Sequence, residues 1–397
     1  MKVVQINTVY ESSSTGRTTK ELHEALLKRG IDSFVVFGVG KKTNNPLIYR
    51  TQTRIGYIIN NFFARLLGLE GFLAQLSTRK IIKILKKINP DIVHLRNLHG
   101  HYINLPLLFS YLNKSTCKVV MSLHDLWMLT GSCPSPYLHN CEKWKERCFD
   151  CPAKREYPES WFFDFSKKNH FRKRECLLSI KDKLTLVGVS QWTMKMAESS
   201  NLNLKITYIY NWINLDLFFP RLINKNSSKI ELLCVASIWE KGSKKLNDLI
   251  AIANSLPAKY HITVVGYHNF KSHEFLPSNI SLVPPLDTEG LALLYSKSDL
   301  FLHLSHSDTF GKVIAESLAC GTPVVAFDIT AMSEMIVDGC GSKIKPFDLN
   351  EFIKIIETYG KKDEKTILRC RKSCSNRFSF RNIDKTIKLY MELLNGN

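Results

Sequence analysis

Asp308 and Glu316 are separated by seven residues in the run DLFLHLSHSDTFGKVIAESLACGTPVVAF, which extends from Asp299 to Phe327. A carboxylate accepts hydrogen bonds from paired hydroxyls, and backbone amides at a helix start attract anions. The pair therefore suits a sugar nucleotide, with hexose hydroxyls on Asp308 and ribose hydroxyls on Glu316. A phosphate would lie on the turn amides of Thr309, Phe310, Gly311, Lys312 and Val313. The alternative is a helix whose N-terminal Asp stabilises the dipole and whose Glu is merely solvated.

The flanking sequence supplies the elements that must hold these groups. Residues 300–304 and 323–327 are short apolar runs with the length of buried strands. Between them Val313, Ile314, Leu318 and Ala319 fall at helical spacing, and Gly321 with Pro323 gives the stop signal. Glu316 then sits about a turn and a half into the helix. Strand, turn, helix and strand make one unit of an α/β sheet, in which ligands bind at the carboxyl ends of strands.

The same pattern opens the chain. Residues 2–6 and 33–37 read as strands around a helix at 18–29 closed by Gly30, and the polar loop 7–17 holds the run Ser12 to Arg17. Gly16 in that run would allow a phosphate or acceptor to approach the backbone closely. Further strands are expected at 91–95, 118–123, 184–190, 232–237 and 262–266. His124 follows the strand at 118–123, His99 and His101 follow the one at 91–95, and Gly266 ends the last, where a base could bind. Lys241 and Lys244, in the turn after 232–237, are candidate phosphate lysines; the alternative is a solvated turn.

With 397 residues the chain fits two domains. The N-terminus reads as a strand rather than a signal peptide, and no apolar run approaches the ~20 residues that span a bilayer, so a cytoplasmic protein is expected. Net charge of +19 asks for an anionic partner, nucleic acid or an anionic membrane face. Residues 54–88 alternate aliphatic stretches with Arg79, Lys80, Lys83, Lys86 and Lys87, the composition of a helix on an anionic membrane. They read equally as core helices with a solvated basic face. The basic run Lys167 to Arg174, with its Phe171, could also meet nucleic acid. Of 11 cysteines, four form the cluster Cys133-x7-Cys141-x6-Cys148-x2-Cys151, which could place four thiolates around one structural zinc. Reduced buried thiols are the alternative.

Several of these motifs resemble retaining glycosyltransferases of family 4. Asp308-x7-Glu316, with Phe310-Gly311 and Ala319-Cys320-Gly321-Thr322-Pro323, is similar to that family's Glu-x7-Glu motif, one methylene shorter at the first acid. Ser14-Thr15-Gly16-Arg17 resembles the family's opening loop, and Asn211, Phe218 and Pro220 match its hinge. His124-Asp125 with Trp127, Thr130 and Gly131 resembles the segment whose His reaches the donor sugar. Lys241 or Lys244 would take the place of the Lys that holds the diphosphate, while Ser237 stands near the family's Arg. The stretch 124–158 is similar to colanic acid and O-antigen assembly enzymes.

The resemblance implies a GT-B fold, α/β, with two Rossmann-like domains facing each other across a cleft. Residues 1–210 would bind acceptor and carry the Cys-rich insertion 131–152; residues 211–381 would bind the nucleotide sugar; 382–397 would return to the first domain, and the polar run 224–229 would be a linker. Implied chemistry is metal-independent transfer of a hexose, with retention, from a UDP- or GDP-sugar to a lipid-linked oligosaccharide, by His124, Asp308 and Glu316. No cofactor is required, apart from the zinc that the cysteines could hold. The expected place is the inner face of the cytoplasmic membrane, in surface polysaccharide synthesis, with no nucleic-acid partner. The rival readings are a nucleotide-sugar epimerase of the same fold and a basic nucleic-acid-binding protein.

Overall fold

The computed structural model describes residues 1–223, 228–270 and 276–396; most of the run expected to be a linker, 224–229, lies outside them. The chain divides into two compact units, Met1–Tyr210 with Ile383–Asn397, and Asn211–Asn382.

The first unit is built on seven parallel strands: β1 (Lys2–Asn7), β2 (Asp32–Phe37), β3 (Ile48–Arg50), β4 (Ile92–Leu95), β5 (Lys118–Leu123), β6 (Leu184–Gly188) and β7 (Lys205–Tyr208), in the order β3-β2-β1-β4-β5-β6-β7. Strands covered by helices on both faces are predominantly apolar, and β4 and β6 are buried at every residue, with His94 and Thr185 as their polar members. The order reverses between β1 and β4, so the loops after these two strands flank the crevice where ligands bind in such sheets. Residues 383–397 complete this unit: the Tyr390 hydroxyl lies 2.6 Å from His94 Nδ1 on β4.

The second unit has β8 (Ile230–Trp239), β9 (Tyr260–His268), β10 (Ile280–Val283), β11 (Leu300–His303), β12 (Val324–Phe327) and β13 (Gly341–Ile344), all parallel, in the order β10-β9-β8-β11-β12-β13. Its reversal falls between β8 and β11, where Leu232 and Leu233 pair with Leu300 and Phe301. The turn of Lys241 and the loop of Asp308 therefore emerge side by side from one end of the sheet.

Two local readings change. The run Ser12 to Arg17 is not a loop, because the helix Ser13–Lys28 already begins within it. Gly16 is buried there; a Cβ on it would lie 3.1 Å from the Glu11 amide, and its carbonyl accepts from that amide. The segment 54–88 also splits into two unlike helices. Gln75–Ile88 buries Ile81, Leu85 and Ile88 in the core, and Lys80 donates to the Arg50 carbonyl at 2.9 Å, so this helix is a core element with a solvated basic face. Arg54–Leu67 buries Ala64 alone.

Candidate active site

In the second unit the loop after β11 is closed by its own acid. Asp308 Oδ1 accepts from the amides of Phe310, at 3.2 Å, and Gly311, at 2.8 Å. These amides were expected to face a phosphate; a carboxylate two and three residues upstream reaches them first, as Asx turns do. Gly311 caps the helix Lys312–Ala319 with φ of 73°, a left-handed conformation that glycine adopts without strain. Phe310 is buried edge-on against Phe378, while Thr309, Lys312 and Val313 stay partly exposed.

Glu316 is buried on that helix, and Tyr295 donates to its Oε2 at 3.5 Å. The two acids thus differ in setting. Asp308 is partly exposed and serves its loop, and Glu316 is held in the interior behind it. His303, at the end of β11, places Nε2 3.7 Å from Asp308 Oδ2. Burial drives its pKa down to about 4; Asp308 opposes the shift and Lys245 adds to it.

The lysines separate by partner. Lys244 opens the helix Lys244–Ser255 and holds its ammonium 4.0 Å from the ring centre of Phe347, which also meets the His306 ring at 4.8 Å. His306 Nε2 lies 2.9 Å from Asp248 Oδ2, tying the loop after β11 to the helix after β8. Burial lowers the His306 pKa despite its bond to Asp248, and Lys244 adds to that shift. Lys241 lies exposed in the turn. Lys245, which the sequence did not single out, donates to the Ile238 carbonyl at 3.1 Å.

Gly266 is not at the end of its strand, since β9 runs on to His268. It is covered: a Cβ there would lie 2.1 Å from the Ala236 carbonyl and 3.1 Å from the Trp239 indole, whose Nε1 donates to Val265 O at 3.0 Å. Its glycine requirement comes from packing against β8, not from an open base site.

In the first unit His124 follows β5, partly buried. Its neighbour Asp125 is held through both oxygens: Oδ1 accepts from Trp127 N at 2.9 Å and Oδ2 lies 2.8 Å from His99 Nε2. His99 Nδ1 meets the Tyr157 hydroxyl at 2.9 Å. Burial disfavours the His99 imidazolium, but Asp125 more than offsets it and the pKa rises. His101 pairs with buried Glu70, whose Oε1 accepts from the Gly100 and His101 amides at 2.7 and 2.8 Å. Glu70 and Tyr157 carry no local sequence signal. The His-Asp step after a strand was the visible clue to Asp125.

The four clustered cysteines lie close enough for Cys133 to feel the charges of the other three. All 11 cysteines are free, and among the described residues no three His, Cys, Asp or Glu side chains form a group that could hold an ion. Cys148 Sγ accepts from Gly131 N at 3.2 Å, while a hydrogen bond from the Cys133 thiol holds the Cys151 thiol down at about 7. Gly131 is there because a Cβ would lie 2.3 Å from the Ser166 carbonyl. The basic run after it is only partly a surface. Lys173 is fully buried, donating to Trp127 O at 2.8 Å and lying 3.4 Å from the centre of that indole, and burial lowers its pKa to about 7.

Comparison with known proteins agrees with this architecture. Residues 15–217 match the family model described as Glycosyltransferase Family 4, and residues 219–373 match Glycosyl transferases group 1. Over 377 residues, 89% of this chain and 90% of the relative, the sequence is 22% identical to the putative colanic acid biosynthesis glycosyl transferase WcaC of Escherichia coli K12. Sucrose-phosphate synthase of Thermosynechococcus elongatus superposes with a TM-score of 0.71 at 15% identity, covering 100% of both chains. HepE of Anabaena, solved with UDP, gives 0.65 at 16% identity over 99% of this chain and 100% of its own, and a further HepE structure holds UDP-glucose. Two parallel Rossmann-like sheets with matching family models on both halves identify the chain as a member of glycosyltransferase family 4, with the GT-B fold.

Proposed function

We propose that this glycosyltransferase moves a hexose from a nucleoside diphosphate sugar to a lipid-linked oligosaccharide, on the cytoplasmic face of a membrane, in the assembly of a surface polysaccharide. The observation that carries the donor half is the switch point of the second sheet, where β8 and β11 deliver the Lys241–Lys244 turn and the Asp308 loop to one place with Glu316 behind them. HepE, with UDP and UDP-glucose, supports a uridine donor, and the likeness to WcaC supports a polysaccharide product.

In this reading Glu316 takes the ribose hydroxyls, and Lys244, with the partly exposed start of the helix Lys312–Ala319, takes the diphosphate. With Phe310 N and Gly311 N engaged by Asp308, the anion is left to Thr309, Lys312 and Val313. Asp308 shapes this loop and offers Oδ2 to the hexose. The acceptor hydroxyl attacks the anomeric carbon as its bond to the diphosphate oxygen breaks. The hydroxyl proton passes to that departing oxygen on the same face, which retains configuration without a protein nucleophile. Fixed donors aimed at the leaving group can each lower the barrier by about 3 kcal/mol, so no divalent ion is needed. In the first unit, His124 and the His99–Asp125 pair, at the carboxyl ends of β5 and β4, are assigned to the acceptor.

Calorimetric titration with UDP, GDP and ADP tests the donor assignment. Wild-type protein should bind one of them selectively. Glu316→Gln, which keeps shape and removes charge, should weaken that binding roughly 10- to 100-fold, the worth of a hydrogen bond to a charged group. Unchanged affinity would refute the ribose role, and no nucleotide binding at all would refute the donor reading.

A further inference from the structure

The helix Arg54–Leu67 is amphipathic the wrong way round for a soluble surface. Ile55, Ile58, Ile59, Phe62 and Phe63 recur at helical spacing on one stripe, and all are exposed, from 45% at Phe63 to 71% at Ile55. The opposite face is the one that packs. Ala64 is buried, Tyr57 meets the ring of His101 at 5.7 Å, and Gly68, left-handed at the C-cap, leaves no room for a side chain against Ser160. Core packing therefore does not explain the stripe, and contiguous exposed apolar side chains mark an interaction surface.

The stripe continues onto a second segment. Trp161 N donates to Arg65 O at 2.8 Å, and the Trp161 ring lies edge-on to Phe62 at 5.7 Å. The next two residues, Phe162 and Phe163, are exposed, and Phe163 stacks on Phe165 at 5.7 Å. Phe165 then borders a 680 Å³ cavity whose wall carries Arg147, Lys167, Lys168 and Arg174 against the two acids Glu146 and Asp164, a net positive lining. Aliphatic and aromatic side chains thus run directly into clustered cations. This composition seats a protein in the headgroup layer of an anionic bilayer: apolar groups enter the acyl boundary and each nearby cation adds attraction. No helix of the described residues is long and apolar enough to cross a membrane.

We infer that this face, the stripe Ile55 to Phe63 with Phe162, Phe163 and the Lys167–Lys168 cluster, docks the protein on an anionic phospholipid surface. The inference rests on the proposed function in one respect, that the acceptor is anchored in the same bilayer. The site side is consistent with it, because His101, which contacts Tyr57 of the docking helix, neighbours the His99–Asp125–Tyr157 group. It differs from the sequence-based expectation in its residues, since the basic helix Gln75–Ile88 turns its apolar side into the core.

Flotation of the full chain with vesicles of phosphatidylcholine, with and without phosphatidylglycerol, tests this. The protein should float with phosphatidylglycerol vesicles. Ile59→Glu with Phe62→Glu should lower the partition coefficient by roughly tenfold or more for each side chain withdrawn. Lys167→Glu with Lys168→Glu should lower it on the order of tenfold or more, on the anionic vesicles alone. All four positions are exposed, so the variants should keep the wild-type circular dichroism spectrum and nucleotide affinity. Absence of wild-type flotation, or flotation unchanged in Ile59→Glu with Phe62→Glu, overturns the inference. So does a wild-type dimer in sedimentation velocity that this variant abolishes, since the face would then cover a second copy. Nucleotide titration of the same samples separates this outcome from failure of the donor reading.

Discussion

Replacing Asp308 distinguishes a loop-closing acid from one that only touches substrate. Its Oδ1 holds two amides, at 2.8 and 3.2 Å, on a side chain that is 31% exposed. Hydrogen bonds to an ionised acceptor are worth more than neutral ones, but the longer bond and the access of water to this loop reduce the total. We expect Asp308→Ala to cost the local fold about 2 kcal/mol. Asp308→Asn keeps an oxygen acceptor in place and should cost less than about 1 kcal/mol. Amide hydrogen exchange reads this directly, because 2 kcal/mol in a local opening free energy is roughly thirtyfold in exchange rate. Phe310 and Gly311 amides should exchange that much faster in Asp308→Ala, with a far smaller change in Asp308→Asn. Nucleotide affinity should fall in the Ala variant with the loop and stay near wild type in the Asn variant. If both amides in Asp308→Ala exchange within roughly threefold of wild type, the carboxylate is not what closes the loop.

Two further perturbations follow from the same unit. His303 has a folded pKa of about 4, below its ordinary value, so as pH falls the unfolded chain takes up the proton first. Stability should therefore be lost from pH ~6.5 down to ~4, by about 2 kcal/mol at pH 5 from this group; urea midpoints at pH 7 and 5 should show it. His303→Gln should shrink the difference, and an equal loss in the variant would sink the assignment. Gly266→Ala would force a Cβ to within 2.1 Å of the Ala236 carbonyl at a φ of 145°. It should destabilise the protein by about 2 kcal/mol or more, measured by thermal melting; a normal melt with weaker nucleotide binding would show instead that Gly266 faces the ligand.

The parts legible in the sequence were those fixed by local pattern. Apolar runs of four to six residues marked the central strands, because a parallel strand covered on both faces is predominantly apolar. The acids at 308 and 316, Gly311 and the helix after it were placed by spacing alone, since a turn and a helix are set by neighbours in the chain. The edge strands β3, β7, β10 and β13 were not read, being short and weakly apolar. What each chemical group does was decided in three dimensions. Gly266 is a glycine because of Ala236 and Trp239, Gly131 because of Ser166, and Lys173 is a buried cation because Trp127 lies against it. Four thiols in nineteen positions is a pattern of the chain, and the fold does bring Cys133 near the other three, whereas coordination demands a stricter convergence in space. The helices at 54–67 and 75–88 are both amphipathic, yet the first shows its apolar stripe and the second hides it. Periodicity determines that a helix has two faces; only the packing of the remaining chain determines which of them is left for a partner.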